Sequence, residues 1–412
     1  MTAPALSAAT AQQTPHIEVP EITVTDGLAA HGRPDFEEFA RTHVAPRSGA
    51  AYDAEILDRL SWKRLAQHGL WRTGVPEDLG GDGGTWRDLA LAIADVARGS
   101  DDLGFVLSMI AHAGLIRALV EHGNAHHHSE ALPSLMRGAV GATALTEPQG
   151  GSDVARTRTT ARRSETGWTL NGFKDHITNA PVADRALILG RVPDLGRRDI
   201  TLFVVNLHSK GVTRGTAEEL LGLRTSPTGS LTLDDVELHE AAPLGEPGNG
   251  LNVLYDIISY DRALYGLVAA AFLEPQLQQV IEFTREREAF GAPILQHQYV
   301  QQRLTNIRIT IEVARATALA GIDSLVAREP EASLRCSVAK FTGSEGLVEA
   351  ATDLMRLHGH YGYMRGRYTR LVQDALGTLI AGGTTEMQRK NILNQMLAAP
   401  ATPAVPTPAA SA

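Results

Sequence analysis

The chain has 412 residues, of which 43% are hydrophobic and 21% are charged, a balance typical of a soluble protein with a large core and two or three domains. Its formal charge of −9 is spread along the sequence, which excludes a basic surface for nucleic acid or for a membrane. The single cysteine, Cys336, excludes an internal disulfide and a thiolate metal site. The N-terminal residues have neither a secretory nor a transit-peptide pattern, and no apolar run reaches the roughly 18 residues of a membrane span, so we expect a cytoplasmic protein.

The first third of the chain predicts a tail followed by helices. Residues 1–29 are rich in Ala, Thr, Pro and Gln and predict a disordered tail. Residues 30–142 space their apolar side chains as helices do and predict an N-terminal helical domain. The run His126-His127-His128 offers imidazoles, but adjacent helical residues point in different directions and no carboxylate or cysteine set accompanies them. We therefore predict a polar surface turn there and no metal site.

The spacing of apolar residues changes twice along the rest of the chain. Residues 143–248 contain short β-branched or alternating runs and predict a central β-domain, either a small barrel or a sandwich. Residues 249–397 return to helical spacing in four long segments, with a connector near residues 359–381, and predict a C-terminal four-helix bundle. Residues 398–412 are rich in Pro, Ala and Thr and predict a second disordered tail. The predicted fold class is α+β, mainly α.

The first of these changes of period coincides with the stretch Leu145–Asp153, Leu-Thr-Glu-Pro-Gln-Gly-Gly-Ser-Asp. Glycines let a backbone approach a flat ligand closely, and the Thr146 and Ser152 hydroxyls can hydrogen-bond to it. By itself the stretch is equally typical of an exposed glycine-rich turn.

Further motifs follow in a fixed order along the chain. Before the stretch stands Val75-Pro76-Glu77-Asp78-Leu79-Gly80-Gly81, and after it stand Asn171-Gly172-Phe173-Lys174, Ile177-Thr178-Asn179, Leu231–Val236, Arg287–Ile294 with Gln298, His358-Gly359 and Gly383–Arg389. Together they resemble the acyl-CoA dehydrogenase family of flavoproteins over about residues 35–395. The resemblance implies three domains (helical, β and four-helix) with FAD between the β-domain and the C-terminal helices.

The resemblance also implies which residues bind the cofactor. Thr178 would hydrogen-bond near flavin N5, in a wall that comprises Leu145, Thr146, Gly151, Ser152, Ile177 and Thr178. Arg287 and Phe290 would hold the FAD of a neighbouring subunit. Gln298, Arg356 and Gly359 would also bind the cofactor, and Thr384 and Glu386 would meet it from the last helix. For Arg287 the alternative is a helix-surface ion pair within Arg285–Glu288.

The family reaction requires a carboxylate over the substrate Cα, and here the sequence departs from the pattern. Most members place a glutamate where this chain has Gly382. The isovaleryl-type branch takes its glutamate from the first C-terminal helix, and the matching residue is Asp261, one methylene shorter. We predict Asp261 as the base; the alternative is that it only pairs with a neighbouring arginine. Predicted substrate-binding residues are Ser152, Tyr260, Arg262, Gly382 and Gly383.

Three other positions depart from the family pattern near the flavin. His176 replaces a usual tryptophan, and Arg356 and His360 replace a usual Gln and Gly. Extra cationic or titratable groups would stabilise a negative substrate group or reduced flavin, but these residues equally fit a space-filling role.

The function that we predict from the sequence is FAD-dependent α,β-desaturation of a short, branched or functionalised acyl group on CoA or on an acyl-carrier protein. The electrons would leave to an electron-accepting flavoprotein or another acceptor, and the enzyme would be a homodimer or homotetramer. One alternative is a flavin-dependent monooxygenase, which needs no carboxylate over Cα. The other is a non-catalytic flavin-binding member of the family.

Overall fold

The structure is a computed structural model that describes residues 34–398. The tails predicted at residues 1–29 and 398–412 lie outside the described residues, apart from Ala398, which ends a helix. The N-terminal part is helical, as predicted. Its helices are α1 (Phe36–His43), α2 (Ala45–Asp53), α3 (Arg59–Gln67), α4 (Trp86–Ser100), α5 (Leu103–His122), α6 (Ala125–Ser129) and α7 (Ala131–Met136).

Helix α5 lies at the centre of this helical region. It begins at an N-cap, Asp102, whose carboxylate accepts a hydrogen bond from the Phe105 N–H, which satisfies a backbone donor that the helix itself leaves free. Apolar residues cover all its faces because it packs against α4, α7 and the first strand of the sheet, and against the long helix of the C-terminal region. The helix is long and apolar enough to cross a membrane, but 89% of its most apolar window is buried inside the fold.

The middle of the chain forms one eight-stranded sheet with the order β6-β7-β3-β2-β4-β5-β8, in which β1 pairs in parallel with β4. The longest pair, β3 and β7, is antiparallel. The strands are β1 (Gly141–Ala144), β2 (Thr160–Arg163), β3 (Gly167–Thr178), β4 (Arg185–Arg191), β5 (Ile200–Asn206), β6 (Val212–Arg214), β7 (Thr228–His239) and β8 (Pro243–Leu244).

Strand β3 is irregular near its end. Its register against β7 shifts between Lys174 and Ile177, and His176 within this segment has φ +55°. Such bulges change the direction of the following side chains. The next residue after the strand, Asn179, donates hydrogen bonds to the carbonyls of Ser108 in α5 (3.1 Å) and Gly141 in β1 (2.9 Å). The end of β3, which carries Thr178, is therefore fixed to α5.

The C-terminal part is again helical. Helix α10 packs against α8, α9, α12 and α13, and the predicted fold class is confirmed. The connector expected near residues 359–381 differs in that it contains a twelve-residue helix, α12. The elements are α8 (Gly250–Glu286), β9 (Glu288–Ala289), β10 (Ala292–Pro293), α9 (Gln298–Val326), α10 (Ala332–Leu357), α11 (His360–Tyr363), α12 (Arg367–Thr378) and α13 (Thr385–Ala398).

A histidine lies inside the N-terminal core. His112 of α5 is fully buried, with its ring centroid 5.1 Å from that of Trp62 and 4.3 Å from that of Trp71. Its Nδ1 accepts a hydrogen bond from the Gly141 N–H at 3.0 Å, which requires a neutral ring or the loss of that bond. Burial lowers the pKa of His112 to about 3, because the charged form cannot be solvated there.

This burial predicts a loss of stability in acid. Below pH 6.5 the unfolded His112 binds a proton that the folded chain excludes until about pH 3, so the free energy of unfolding decreases as the pH decreases, by up to about 1.4 kcal/mol per pH unit. Urea unfolding of a His112→Asn variant between these pH values should show a weaker pH dependence than the wild type. The exposed His360, changed to Asn, serves as the control, and equal slopes for all three proteins would contradict the assignment.

Candidate active site

Glu147 connects the glycine-rich stretch to the sheet. Its carboxylate and the ammonium group of Lys174 are 2.7 Å apart, and their side chains are only 3% and 0% exposed. Glu147 also accepts hydrogen bonds from the backbone N–H of Arg158 (2.6 Å) and from the N–H and hydroxyl of Thr159 (3.0 and 2.7 Å). Burial alone would raise the pKa of Glu147, but the hydrogen bonds, first that from Lys174, hold it below its usual value. The carboxylate is therefore ionised, and its oxygens are used in the hydrogen bonds that hold the glycine-rich loop.

Lys174 fixes the same loop from the strand side. Its Nζ donates to the carbonyl of Leu145 at 3.2 Å and to the hydroxyl of Thr157 at 3.0 Å. The neighbouring Asp175 N–H donates to the carbonyl of Thr146 at 3.0 Å. Residues 145–147 thus lie directly beside the end of β3, which brings two of the sequence-predicted segments together.

Three hydroxyls at this junction are free to bind a ligand. Within residues 34–398, the side chains of Thr146, Ser152 and Thr178 donate and accept no hydrogen bonds, and none of the three is fully buried. A Cβ atom at Gly151 would have as its nearest neighbour the Thr146 Cγ2 atom at 3.9 Å, so the backbone there borders open space. Unused hydroxyls beside an accessible glycyl backbone fit the polar edge of a flavin, which takes hydrogen bonds from hydroxyl and peptide groups.

His176 lies next to this junction and is mostly exposed. Its Nδ1 lies 3.0 Å from a carboxylate oxygen of Glu218, and this hydrogen bond raises the pKa of His176 above its usual value. Asp175, His176 and Glu218 bring one ligand atom each within 4.8 Å of one another. The ion pair accounts for this arrangement, and we assign no metal to it.

Asp261 lies on α8 opposite a glycine of α5. A Cβ atom at Gly114 would lie 2.3 Å from the Asp261 Oδ1 atom, so the absence of a side chain at Gly114 makes room for this carboxylate. The residue is half-buried, its Oδ1 is shielded from solvent, and that oxygen has no hydrogen-bond partner. Burial raises the pKa of Asp261 to about 8, against the opposing effect of Arg117 and Arg262. An unpaired carboxyl group with a pKa near neutrality is a feature of functional sites.

The two nearby arginines do not pair with Asp261. Arg117 binds Asp256, with its Nη2 2.9 Å from Oδ1, and His122 shares the same carboxylate at 2.8 Å. Arg262 is 5% exposed and makes neither a hydrogen bond nor an ion pair in the described part of the chain. The alternative that Asp261 is only an arginine partner therefore finds no support in the geometry.

Tyr260 occupies a different side of α8. It is fully buried, and its hydroxyl donates to the carbonyl of Trp86 in α4 at 2.8 Å. This geometry favours a packing role over the substrate contact predicted from the sequence. Adjacent residues on a helix face different directions, so Tyr260 and Asp261 do not point into the same space.

Gly382 lies against Tyr265, a residue of α8 that follows Asp261 by one helical turn. A Cβ atom at Gly382 would lie 2.4 Å from the Cε2 atom of Tyr265, and Gly382 has φ +70°, a conformation that favours glycine. The position that carries a glutamate in most of the family thus has no room for a side chain here. Gly383 beside it is exposed. The hydroxyl of Thr384 accepts a hydrogen bond from the Met387 N–H at the start of α13, and Glu386 is exposed.

The predicted contacts to a second FAD lie far from this site. Arg287 directly follows α8 and lies 26 positions after Asp261, which corresponds to about 39 Å along a helix. Arg287 is exposed and has no ion-pair partner among the described residues, and Phe290 is 98% exposed. Both lie on or beside the β9–β10 hairpin, just before the exposed Gln298.

The remaining predicted residues lie at the same end of α8. The ring of His358 stacks between Phe283 of α8 (4.5 Å between centroids) and Tyr368 of α12 (3.9 Å), which fixes the end of α10 beside the end of α8. Arg356 and Gly359 flank this stack, and both are exposed, as is His360. Nothing lies within 4 Å of a Cβ atom built at Gly359, so this surface is also open to a ligand.

A cavity of about 370 Å³ lies away from the predicted site, between α2, α8 and α12. It contains none of the predicted site residues. Three of its arginines are already paired with acids, Arg224 with Glu55, Arg367 with Asp101 and Arg370 with Asp102. Its charges are therefore largely balanced within the chain.

Comparison with known proteins agrees with this arrangement. The family models for the N-terminal, middle and C-terminal domains of acyl-CoA dehydrogenase match residues 32–139, 142–236 and 248–397. An acyl-CoA dehydrogenase of Bacillus subtilis is 34% identical over 366 residues, which cover 87% of this chain and 95% of that protein.

Two solved structures are similar over nearly their whole length. The prolyl acyl carrier protein oxidase AnaB is 28% identical with a TM-score of 0.83, and the match covers 88% of this chain and 97% of that chain. Butyryl-CoA dehydrogenase from Megasphaera elsdenii is 27% identical with a TM-score of 0.82, over the same shares of the two chains.

The chain belongs to the acyl-CoA dehydrogenase family. It is an FAD-dependent oxidoreductase that acts on a CH–CH bond of an acyl thioester, and the monooxygenase alternative finds no support among these relatives. The positioning roles of Glu147, Lys174, Gly114 and Tyr265 were not predicted from the sequence. Glu147 and Lys174 could have been found, because both charged residues lie inside recognised motifs. No sequence pattern indicates the contacts between α5, α8 and Gly382.

The buried pair predicts a strong effect of removing one charge. Lys174→Met leaves the Glu147 carboxylate buried without its cation, so we expect a loss of about 3–5 kcal/mol in the free energy of unfolding and weaker FAD retention. The double variant Glu147→Gln/Lys174→Met removes both charges and should lose less than the two single variants combined. Urea unfolding monitored with flavin absorbance would measure both effects, and strictly additive losses would contradict the pairing.

Proposed function

We propose that this chain desaturates a short, branched or functionalised acyl group, carried as a thioester on CoA or on an acyl-carrier protein, with Asp261 as the base. The single observation that carries this proposal is the half-buried Asp261 carboxyl group, which has no partner although two arginines lie near it. FAD, when bound, supplies the hydride acceptor, and the free hydroxyls of Thr146 and Thr178 favour its reduced state by hydrogen bonding.

A short or compact acyl group follows from the space around the base. Tyr265 lies beside Gly382 and one turn from Asp261, so a bulky ring occupies the side of the site where a larger cavity would be needed for a long chain. The similarity to a butyryl-CoA dehydrogenase and to a prolyl carrier protein oxidase supports both a small acyl group and either type of carrier.

The base predicts a pH profile. Only the ionised carboxylate accepts a proton, and the pKa of Asp261 is near 8. The second-order rate constant for anaerobic flavin reduction by the substrate should therefore increase about tenfold per pH unit below pH 8 and level off above it. Asp261→Asn should retain FAD but reduce flavin about 100-fold to 10,000-fold more slowly than the wild type above pH 8, and the difference should shrink as the pH falls because the wild-type carboxylate becomes protonated. A variant that keeps wild-type reduction rates would exclude Asp261 as the base.

Asp261→Glu serves as the matched variant. It introduces the longer acid of the isovaleryl-type branch. This variant should still reduce flavin, at a rate different from that of the wild type, whereas Asp261→Asn should lose most of this activity. Stopped-flow reduction with short acyl-CoA and acyl-carrier-protein thioesters would identify the carrier in the same experiment.

We also propose that the enzyme is a homodimer or homotetramer in which Arg287 and Phe290 hold the FAD of a neighbouring subunit, with Gln298, Arg356 and Gly359. The support is the distance of about 39 Å along α8 between Asp261 and Arg287 and the exposure of the apolar Phe290. Other large apolar side chains of the C-terminal helices are exposed as well, including Tyr299, Tyr361, Tyr363 and Ile380, which fits burial in an oligomer. We propose a cytoplasmic enzyme with an electron-accepting flavoprotein as its redox partner.

Sharing of a site between subunits predicts complementation. Asp261→Asn and Arg287→Ala should each lower activity at limiting FAD, the first by loss of the base and the second by loss of the guanidinium that binds pyrophosphate. A hetero-oligomer co-expressed from differently tagged variant chains should recover activity, since one site then combines an intact Asp261 with an intact Arg287. Mixed oligomers no more active than their parents would refute the shared site.

A further inference from the structure

The packed interface between α5 and α8, called the groove below, extends from the base toward Tyr265. Gly114 of α5 faces Asp261, whereas residues 103–110 of α5 share a small cavity with residues 265–269 of α8, as expected for two helices that run in opposite directions. Tyr265 lies four residues after Asp261, so both side chains project from the same side of α8. The Tyr265 ring therefore lies at the first turn of the groove beyond the base.

A small cavity lies at the Tyr265 ring. Its volume is about 10 Å³, close to the minimum for one water molecule. Its lining is almost entirely apolar and comes from α5, α8, α10 and the end of α12: Leu103, Leu107, Ile110, Tyr265, Val268, Ala269, Leu347 and Thr378. The groove thus ends in a residual void that the Tyr265 ring helps to close.

The ring also fills the space in front of Gly382. A Cβ atom at Gly382 would lie 2.4 Å from Cε2, 2.9 Å from Cζ and 3.1 Å from the hydroxyl oxygen of Tyr265. Tyr265 is 8% exposed, and its hydroxyl makes no hydrogen bond within residues 34–398. The ring is therefore held by packing and by the Lys340 ammonium group, which lies 5.3 Å from its centroid. We infer that the volume of the ring determines what fits beside Asp261.

We propose that Tyr265 is the residue that limits the length of the acyl group, and that the apolar groove behind it is a chain-binding pocket which a smaller residue at position 265 opens. This inference rests on the proposed function, since it concerns the acyl group of that reaction. Burial of one CH₂ group contributes about 0.8 kcal/mol, which corresponds to about fourfold in affinity. Each methylene that enters the opened groove should therefore tighten binding about fourfold.

The test is the chain-length dependence of binding. Straight-chain 2-enoyl-CoA thioesters from butenoyl to decenoyl would be titrated into the FAD-loaded enzyme, with the flavin absorbance as the readout, so that no turnover is needed. Tyr265→Val should bind longer thioesters more tightly by about fourfold for each added methylene until the space left by the ring is filled, and level off beyond that length, whereas the wild type should gain nothing beyond the shortest chains. Tyr265→Phe keeps the ring and should behave as the wild type.

Two outcomes would overturn the inference: an unchanged chain-length profile in Tyr265→Val, or an equal gain in Tyr265→Phe. Tyr265→Leu, which fills more of the core, replaces the valine variant if that protein does not fold. Turnover assays separate this inference from the proposed function. Turnover without a changed binding profile refutes the role of Tyr265 alone, and a changed binding profile without turnover of any thioester refutes the proposed reaction alone.

The contact with Gly382 gives a second readout that requires no ligand. Gly382→Ala should destabilise the wild type because its Cβ meets the ring, and it should destabilise Tyr265→Val or Tyr265→Leu less. Backbone strain at φ +70° is common to both backgrounds and cancels in the double-mutant cycle. Additive effects on the thermal midpoint would show that the ring does not fill this space.

Discussion

The buried pair of Glu147 and Lys174 is the constraint on which the active site depends. A carboxylate and an ammonium group can remain inside a protein only when each is paired and hydrogen-bonded, and the partners of Glu147 include two separate segments of the middle region, residues 158–159 and Lys174 of β3. Satisfying this one carboxylate therefore fixes the glycine-rich loop against β3. The flavin-binding edge is a consequence of that arrangement, because its hydroxyls are those not used to build it.

The position of Asp261, the proposed base, follows from the same arrangement through α5. Asn179 joins the end of β3 to Ser108 of α5, and two turns later Gly114 faces Asp261 on α8. The cofactor edge and the base thus belong to different domains of the sequence, but one central helix sets the spacing between them. The packing of α5 on all sides makes it suitable for this role, since a tightly packed helix transmits position with little freedom.

The order of helical and strand-rich regions could be predicted from sequence periodicity, because apolar residues repeat differently in helices and strands. Local motifs, such as Thr146 to Asp153 and Ile177 to Asn179, predicted which segments bind FAD, and the structure brings these two segments together. The contacts of Asp261, Tyr260 and Tyr265 could not be predicted, because they depend on the rotation of α8 against α4 and α5. A motif fixes neighbours in sequence, whereas the direction of a helical side chain depends on how the helix packs. Helix α12 was not predicted for a related reason, since its glycine-bordered segment resembles a connector.

Helix α8 carries Asp261, the proposed base, in its N-terminal half and leads directly to Arg287 beyond its C-terminus. With Arg287 serving a neighbouring subunit as proposed, one continuous helix belongs to two catalytic centres. Cofactor affinity then becomes a property of the assembled enzyme, because a separated subunit offers only part of each FAD site. Occupancy by FAD would depend on the concentration of protein as well as on that of the cofactor, so dilution alone would convert holoenzyme into apoenzyme.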